Sequence, residues 1–424
     1  MKRIVIIGAG TAGTMLANRL RRRLPSGWRL TVVDPETDHL YQPGLLFLPF
    51  GARDESRMVR PRARTLRAGV EWIRERVTAV EPERRAVVLE TGDAIDYDLL
   101  VIASGAHLRP ADTAGLLDEG WRRTVHEFYT LDGAQALRDA MAAFSGGRLV
   151  LNVVEMPIKC PVAPMEFLFL ADEFFRRRGV RDRVELVYVT PLDGAFTKPI
   201  CNRVLSHLIT DKGIRLETEF NAGEVDGGSG RLTSYDGREV DFDMLVTVPT
   251  HGGAPFVSAS GLGNELGFVP TDPHTLKSKA HDEIFAIGDA TDVPTSKAGS
   301  VAHFESEVLE ENVLRAMAGR SLEDGFDGHA NCFIETGFGR ALLIDFNYDV
   351  EPMPGSFPVA GFGPMRLLKE TRLNHLGKLA FRWAYWNALL PGRPLPVTTK
   401  MSMHGKFAAA SATVGAKGDS HGVA

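Results

Sequence analysis

Cysteine is scarce in this chain, with three in 424 residues. That excludes a disulfide-stapled scaffold and leaves room for one redox pair and a bystander. Long apolar runs are missing as well. No stretch of about 18 apolar residues occurs, so no spanning helix is expected. The opening run Ile4, Val5, Ile6 and Ile7 is too short, and too soon broken by glycine, to be a signal core; no secretory leader is expected. The formal net charge of −5 gives no polyanion-binding signal, and no nucleic-acid partner is expected. No spacing of cysteine and histidine fits a zinc, haem or iron–sulfur site. The length suits two or three globular domains with ample core.

What is present begins at once. The apolar run reads as a buried parallel strand, followed by Gly8-Ala9-Gly10-Thr11-Ala12-Gly13 and a helical stretch through Leu24. Strand, glycine turn and helix are the context that dinucleotide binding requires. Gly8 permits the turn, Gly10 lets backbone approach a pyrophosphate, and Gly13 allows close helix–strand packing. The helix N-terminus favours the negative charge. The next strand ends at Asp34, 21 residues beyond Gly13, where a carboxylate meets an adenosine ribose. Two later segments close the pattern. An apolar strand ends in Ala103-Ser104-Gly105, and another ends in Gly288-Asp289. Together they resemble the motifs of two-dinucleotide-binding-domain flavoproteins of the disulfide reductase type. That resemblance implies FAD, with Gly288 and Asp289 at its ribityl and pyrophosphate region and Val77 among the contacts.

That superfamily usually carries a second glycine fingerprint for NAD(P)H. Here the equivalent strand, residues 148–154, runs into Glu155-Met156-Pro157-Ile158-Lys159-Cys160-Pro161. There is no glycine turn, Glu155 would repel a pyrophosphate, and prolines flanking the cysteine remove backbone donors. A thiol stands where nicotinamide phosphates would lie, which argues for an electron donor other than NADH.

On these marks, with Cys160-Pro161-Val162-Ala163-Pro164-Met165-Glu166, Cys332 and a basic-aromatic C-terminal segment, residues 1–395 resemble the sulfide:quinone oxidoreductases, kin of the flavocytochrome c sulfide dehydrogenase flavin subunit. The resemblance implies a Cys160–Cys332 redox pair. Hydrosulfide opens a bridge between them, leaving a persulfide and a thiolate, and two electrons pass to the flavin and on to a membrane quinone. It places Cys332 nearer the flavin and Cys160 on the side where sulfide arrives. Thiolates need nearby positive charge or a helix N-terminus. Lys159 beside Cys160, and a helix starting just after it, are expected to supply them. Cys201 reads as the bystander. Relatives often hold a third redox cysteine near the segment here occupied by residues 125–130, and this chain has none there. The stretch from His39 to Gly44 lacks the cysteine that attaches FAD covalently in some relatives, so FAD is expected to be noncovalent, with Tyr41, Gln42 and Pro43 passing near the ring. Lys297 precedes a helix expected to point at the flavin, where it would stabilise a reduced anion. His303 and Glu305 read as surface or core residues, with proton relay as the alternative.

Residues 366–393 hold Arg366, Lys369, Arg372, Lys378, Arg382 and Arg393 against Glu370 alone. Leu376, Leu379, Ala380, Trp383 and Leu390 recur at helical spacing. A basic, tryptophan-bearing amphipathic helix suits an anionic membrane surface, where a quinone is met. Peripheral attachment, on the cytoplasmic side, follows as an expectation; a homo-oligomer interface and ordinary core packing are the alternatives.

The expected fold is α/β: a tandem Rossmann-like FAD/NAD(P)-binding fold with a C-terminal amphipathic helix. Its parts are an FAD domain in two pieces (1–110 and 271–330), a nested second domain (111–270), a redox-cysteine and quinone-facing segment (331–400) and a disordered tail (401–424). The product, polysulfide or elemental sulfur, is left open. The alternatives are a type II NADH:quinone oxidoreductase, a flavin subunit reducing a cytochrome, and a non-enzymatic flavin redox sensor.

Overall fold

The structure, a computed structural model, describes residues 1–51, 55–357, 363–394 and 397–407. Two parallel five-stranded sheets organise it. The first has the order Ile284–Ala286, Leu99–Ile102, Lys2–Ile7, Trp28–Val33 and Glu71–Ile73. Its central strands are continuously apolar because both faces are covered. Helix α1 (Thr11–Arg23) lays Met15, Leu16 and Leu20 on one face. The antiparallel strands Val77–Glu81, Ala86–Leu89 and Ala94–Asp96 cover the other with Val80, Val87 and Ile95. Arg21, Arg22 and Arg23 end α1, where cations suit the helix dipole.

The second sheet has the order Val125–His126, Met244–Val248, Gly147–Val153, Val184–Val189 and Arg215–Glu217, again all parallel. Around it run α2 (Leu131–Ala143), α3 (Ala163–Arg177) and α4 (Pro199–Asp211). After the short α5 (Pro255–Ala259), the chain returns to the first sheet through Ile284–Ala286 and α6 (Gly299–Met317). A hairpin, Ala330–Gly337 with Arg340–Phe346, then carries Cys332 opposite Ile344.

The final helix, α7 (Arg372–Ala384), is inside out. Its inward side is polar: Asn374 is fully buried and donates to the carbonyls of Ala341, Arg366 and Lys369. Its outward side is apolar, with Leu373, Leu376, Leu379 and Trp383 exposed by 40, 56, 49 and 69 %. Leu390 departs from the stripe expected for it and is buried. A π turn over Tyr385–Leu389 inserts an extra residue into the helical register, and this rotates Leu390 inward.

The expected tail also differs over its first residues. Within 401–407 the chain is anchored through Lys406, which lies bridged to Gly355 and whose buried ammonium sits 2.6 Å from Asp345. His329 approaches the same carboxylate at 2.8 Å. The remainder of the expected tail, 408–424, lies outside the described residues. Removing one partner strands a buried charge. Lys406→Met is expected to lower unfolding free energy by about 3 kcal/mol, read as a denaturant midpoint.

Candidate active site

The glycine turn after the strand Lys2–Ile7 has the shape a dinucleotide needs. Gly8 sits at φ +100°, and a Cβ there would lie 2.5 Å from the Ala103 carbonyl oxygen. A Cβ on Gly13 would overlap the Gly8 carbonyl. Gly10 is different: a Cβ there meets no protein atom within 4 Å, so its open side faces space a ligand can fill. Thr11 and Ala12 open α1.

Asp34 lies beside this turn and accepts from the Ala9 amide at 2.6 Å and the Glu36 amide at 2.9 Å. Arg62 completes the arrangement. It is buried, lies 3.3 Å from Asp34, donates to the Glu36 and Asp38 carbonyls at 2.7 and 2.8 Å, and contacts the Ala9 carbonyl. Nothing in the sequence marked Arg62 out from its neighbours Arg57, Arg60, Arg64 and Arg67.

Ala103 takes up the strand end, bonded to Ile7, and Ser104 follows with a buried hydroxyl that has no partner. Gly105, like Gly10, has open space where a Cβ would be. Val77 points into the apolar cluster behind the sheet, leaving only its backbone for a ligand. Pro43 opens a 3-10 turn and is half-buried, while Tyr41 packs against Tyr385 at 4.8 Å. The C-terminal segment thus closes on this region. The Tyr385 hydroxyl lies 2.8 Å from Thr11 Oγ1 and 2.6 Å from His39 Nε2.

Gly288 donates its amide to Glu305 at 2.6 Å. Glu305 is therefore a core residue rather than a surface one, and it fixes the Gly288-Asp289 turn. Burial, with Asp289 adding to it, pushes its carboxyl up to about 8 against the Gly288 amide and Lys297. Lys297 donates to the carbonyls of Asp289 and Thr291 at 3.1 and 2.7 Å and lies 4.0 Å above the Phe268 ring. Its ammonium is thus engaged by this loop.

The thiol loop is pinned to the same segment. The Cys160 amide donates to the Lys297 carbonyl at 2.8 Å, and Cys160 itself adopts φ +49°. Cys332 is buried on its strand, and the Ser300 hydroxyl at the start of α6 bonds the adjacent Asn331 carbonyl at 2.7 Å. Both cysteines are free thiols, and the charge of Cys160 acts on Cys332.

Lys159 does not serve Cys160 as expected. Its charge partners are Asp289 and Glu127, and it lies 6.0 Å from the Tyr129 ring. Burial, then Glu166, push the Cys160 thiol up to about 12, against Lys378 and the Ala163 amide. Burial likewise pushes Cys332 well up, with Lys378 opposing. The cation acting on both thiols is thus Lys378, from the inward side of α7, a residue the sequence reading counted only as membrane-facing charge. Tyr129 supplies a second missed contact: in the segment where relatives carry a third cysteine, its phenol interacts with Cys160. The Tyr129 hydroxyl and His251 Nε2 are buried without partners, their rings 5.2 Å apart.

These features fit a flavin dinucleotide. The open sides of Gly10 and Gly105, the orphan Ser104 hydroxyl and the helix start at Thr11 are the groups that would hold it. Because the folded-state pKa of Glu305 lies above its unfolded value, its contribution to stability is full at acid pH and declines between about pH 4.5 and 8. Glu305→Gln is expected to flatten that decline, a difference of a few kcal/mol across the window measured by denaturant unfolding at several pH values.

Known proteins resemble this chain along most of its length. The pyridine nucleotide-disulphide oxidoreductase family pattern matches residues 2–152. A mitochondrial sulfide:quinone oxidoreductase of Dictyostelium discoideum is 27 % identical over 92 % of this chain and 86 % of its own. The Mus musculus protein of the same name is 26 % identical over the same shares. The crystal structure of the Aquifex aeolicus sulfide:quinone oxidoreductase superposes with a TM-score of 0.75 at 20 % identity, covering 91 % of this chain and 92 % of that one, which shows a shared fold. The chain is a flavoprotein oxidoreductase with a Rossmann-like fold, and over nine-tenths of its length it resembles the sulfide:quinone oxidoreductases.

Proposed function

We propose that this protein binds FAD noncovalently, oxidises sulfide to sulfane sulfur through Cys160 and Cys332, and passes the electrons to a membrane quinone. One observation carries the reading. Two free thiols from distant parts of the chain interact electrostatically, Cys160 acting on Cys332, and Cys160 is tied by its backbone to the segment that follows Gly288-Asp289. FAD is assigned to Gly8, Gly10, Thr11, Ala12, Gly13, Asp34, Pro43, Val77, Ala103, Ser104, Gly105, Gly288, Asp289 and Lys297. The domain divisions near 110, 270 and 330 belong to the same proposal.

The working form of the pair is a Cys160–Cys332 bridge. Hydrosulfide attacks Cys160; one sulfur–sulfur bond forms and one breaks, leaving a Cys160 persulfide and a Cys332 thiolate. Re-forming the bridge across the added sulfur releases one proton and two electrons. A bound flavin supplies the two-electron acceptor for that step. A second hydrosulfide then extends or releases the sulfur chain. Cys332 is buried and Cys160 half-buried, which limits the access of bulk water to the persulfide.

Quinone is reached at the membrane surface. The outward stripe of α7 offers Leu373, Leu376, Leu379 and Trp383 to lipid, with Arg372 and Arg382 in the same helix for anionic headgroups. No helix among the described residues is long and apolar enough to cross a bilayer. NADH as donor is disfavoured because Val153 leads into Glu155 and Pro157 rather than a glycine turn.

Anaerobic sulfide should bleach the flavin, and a short-chain quinone should restore it. Cys160→Ala and Cys332→Ala should each slow bleaching by about a hundredfold or more. Bleaching by NADH but not by sulfide would overturn the reading in favour of an NADH:quinone oxidoreductase. Separately, Leu376→Gln combined with Trp383→Gln should reduce co-sedimentation with anionic vesicles; unchanged binding would sink the role given to α7.

A further inference from the structure

The thiol pair poses an electrostatic problem that its own loop does not solve. Among the strongest charge influences on the two sulfurs, one alone favours thiolate. Glu166 acts on both sulfurs from α3, Asp289 acts on Cys160 from the Gly288 turn, and Cys160 opposes the ionisation of Cys332. Tyr129 and Cys201, neutral at ordinary pH, add no cation. The exception is Lys378.

Lys378 reaches inward from α7. Its ammonium contacts the Glu166 carboxylate and donates to the Phe333 carbonyl at 3.2 Å, one residue from Cys332. Glu166 in turn accepts the Glu335 amide at 2.7 Å, and His375 Nδ1 lies 2.9 Å from the Glu335 carboxylate. Lys378 is therefore held at the junction of the Cys160 helix, the Cys332 strand and α7. Burial opposes its charge, but Glu166, Glu335 and Cys160 outweigh that, so the ammonium is retained. Burial pushes the Glu166 carboxyl up, while Lys378 and the Glu335 amide, both donating to it, favour the carboxylate.

We infer that Lys378 is the positioning residue that makes the Cys160–Cys332 pair nucleophilic, acting from the C-terminal helix and opposed by Glu166. The inference rests on the thiol-pair reading above. It explains why an apolar-outward helix buries a lysine: the helix brings the thiols the cation that their own loop, with Lys159 committed to Asp289 and Glu127, does not provide.

The test is the pH dependence of alkylation by iodoacetamide of the pre-reduced holoenzyme, read at Cys160 and Cys332 by mass spectrometry. A cation favours thiolate, so its removal moves the profile to higher pH. Lys378→Gln should slow alkylation at fixed pH by about tenfold, equivalent to about one pH unit. Lys378→Arg should restore most of the rate. Glu166→Gln should move the profile the opposite way, because it removes an anion. A merely structural role would move both Gln variants in the same direction, and that result, or profiles indifferent to Lys378, would overturn the inference. The alkylation profile does not depend on sulfide turnover. Loss of sulfide bleaching in Cys160→Ala alongside an unchanged Lys378→Gln profile would therefore defeat this inference alone.

Discussion

Parallel strands impose a direction on everything that follows them, and the site is built on that constraint. Backbone leaving the carboxyl end of a parallel strand meets helix N-termini and open turns, and ligands collect there. Gly8 follows the strand Lys2–Ile7, Asp34 follows Trp28–Val33, Ala103 follows Leu99–Ile102, and Gly288 follows Ile284–Ala286. The second sheet obeys the same rule. Its strand Gly147–Val153 leads to Cys160, and Met244–Val248 leads to His251. Residues separated by up to about 280 positions therefore converge without special contacts to bring them together. The bond from the Cys160 amide to the Lys297 carbonyl joins the two sheets' loops.

Charge buried at this junction restrains the C-terminal helix. An unpaired lysine or glutamate in the interior costs several kcal/mol, so Lys378 and Glu166 each require the other. Lifting α7 would leave Glu166 without its cation and strip Asn374 of three carbonyl partners. The helix is held down by polar bonds while its apolar side remains outside, the reverse of a water-soluble helix. The bonds from Tyr385 to Thr11 and His39, and from Asn18 and Arg22 of α1 to the carbonyls of Leu390 and Gly392, extend this hold to the glycine turn. The outward apolar face of α7 and the glycine turn after the first strand are thus fastened through one set of hydrogen bonds.

Local features were legible in the sequence and distant pairings were not. Gly8, Gly10 and Gly13 declare a turn because backbone geometry demands them at fixed spacing, and Asp34 follows at a distance set by one helix and one strand. The missing second fingerprint was equally readable after Val153. Arg62, Glu166, Tyr385 and Lys378 were opaque, because each acquires its role from a partner far along the chain. Periodicity found the stripe on α7 but not its outward direction, since an apolar face reads the same whether it meets core or lipid. It also failed at Leu390, where a π turn broke the 3.6-residue repeat. Adjacency misled for Lys159: a neighbour in sequence on an irregular loop is free to point elsewhere, and the charges that act on its ammonium are those of Asp289 and Glu127.

The thiol pair shows why such a site needs a remote cation. Persulfide chemistry benefits from a dry pocket, where water and stray oxidants are kept from the sulfane sulfur. The same dryness penalises a thiolate: Cys332 is buried and Cys160 half-buried, and desolvation raises the proton affinity of both. A cation on the loop itself would relieve this, but the loop's lysine is tied into the dinucleotide side of the site. Delivering the charge from a separate helix resolves the conflict, because the ammonium arrives already paired with Glu166 and incurs less desolvation cost than a lone lysine. The pairing partner then tempers the effect on sulfur, so thiol reactivity is set by the balance between Lys378 and Glu166 rather than by either charge alone.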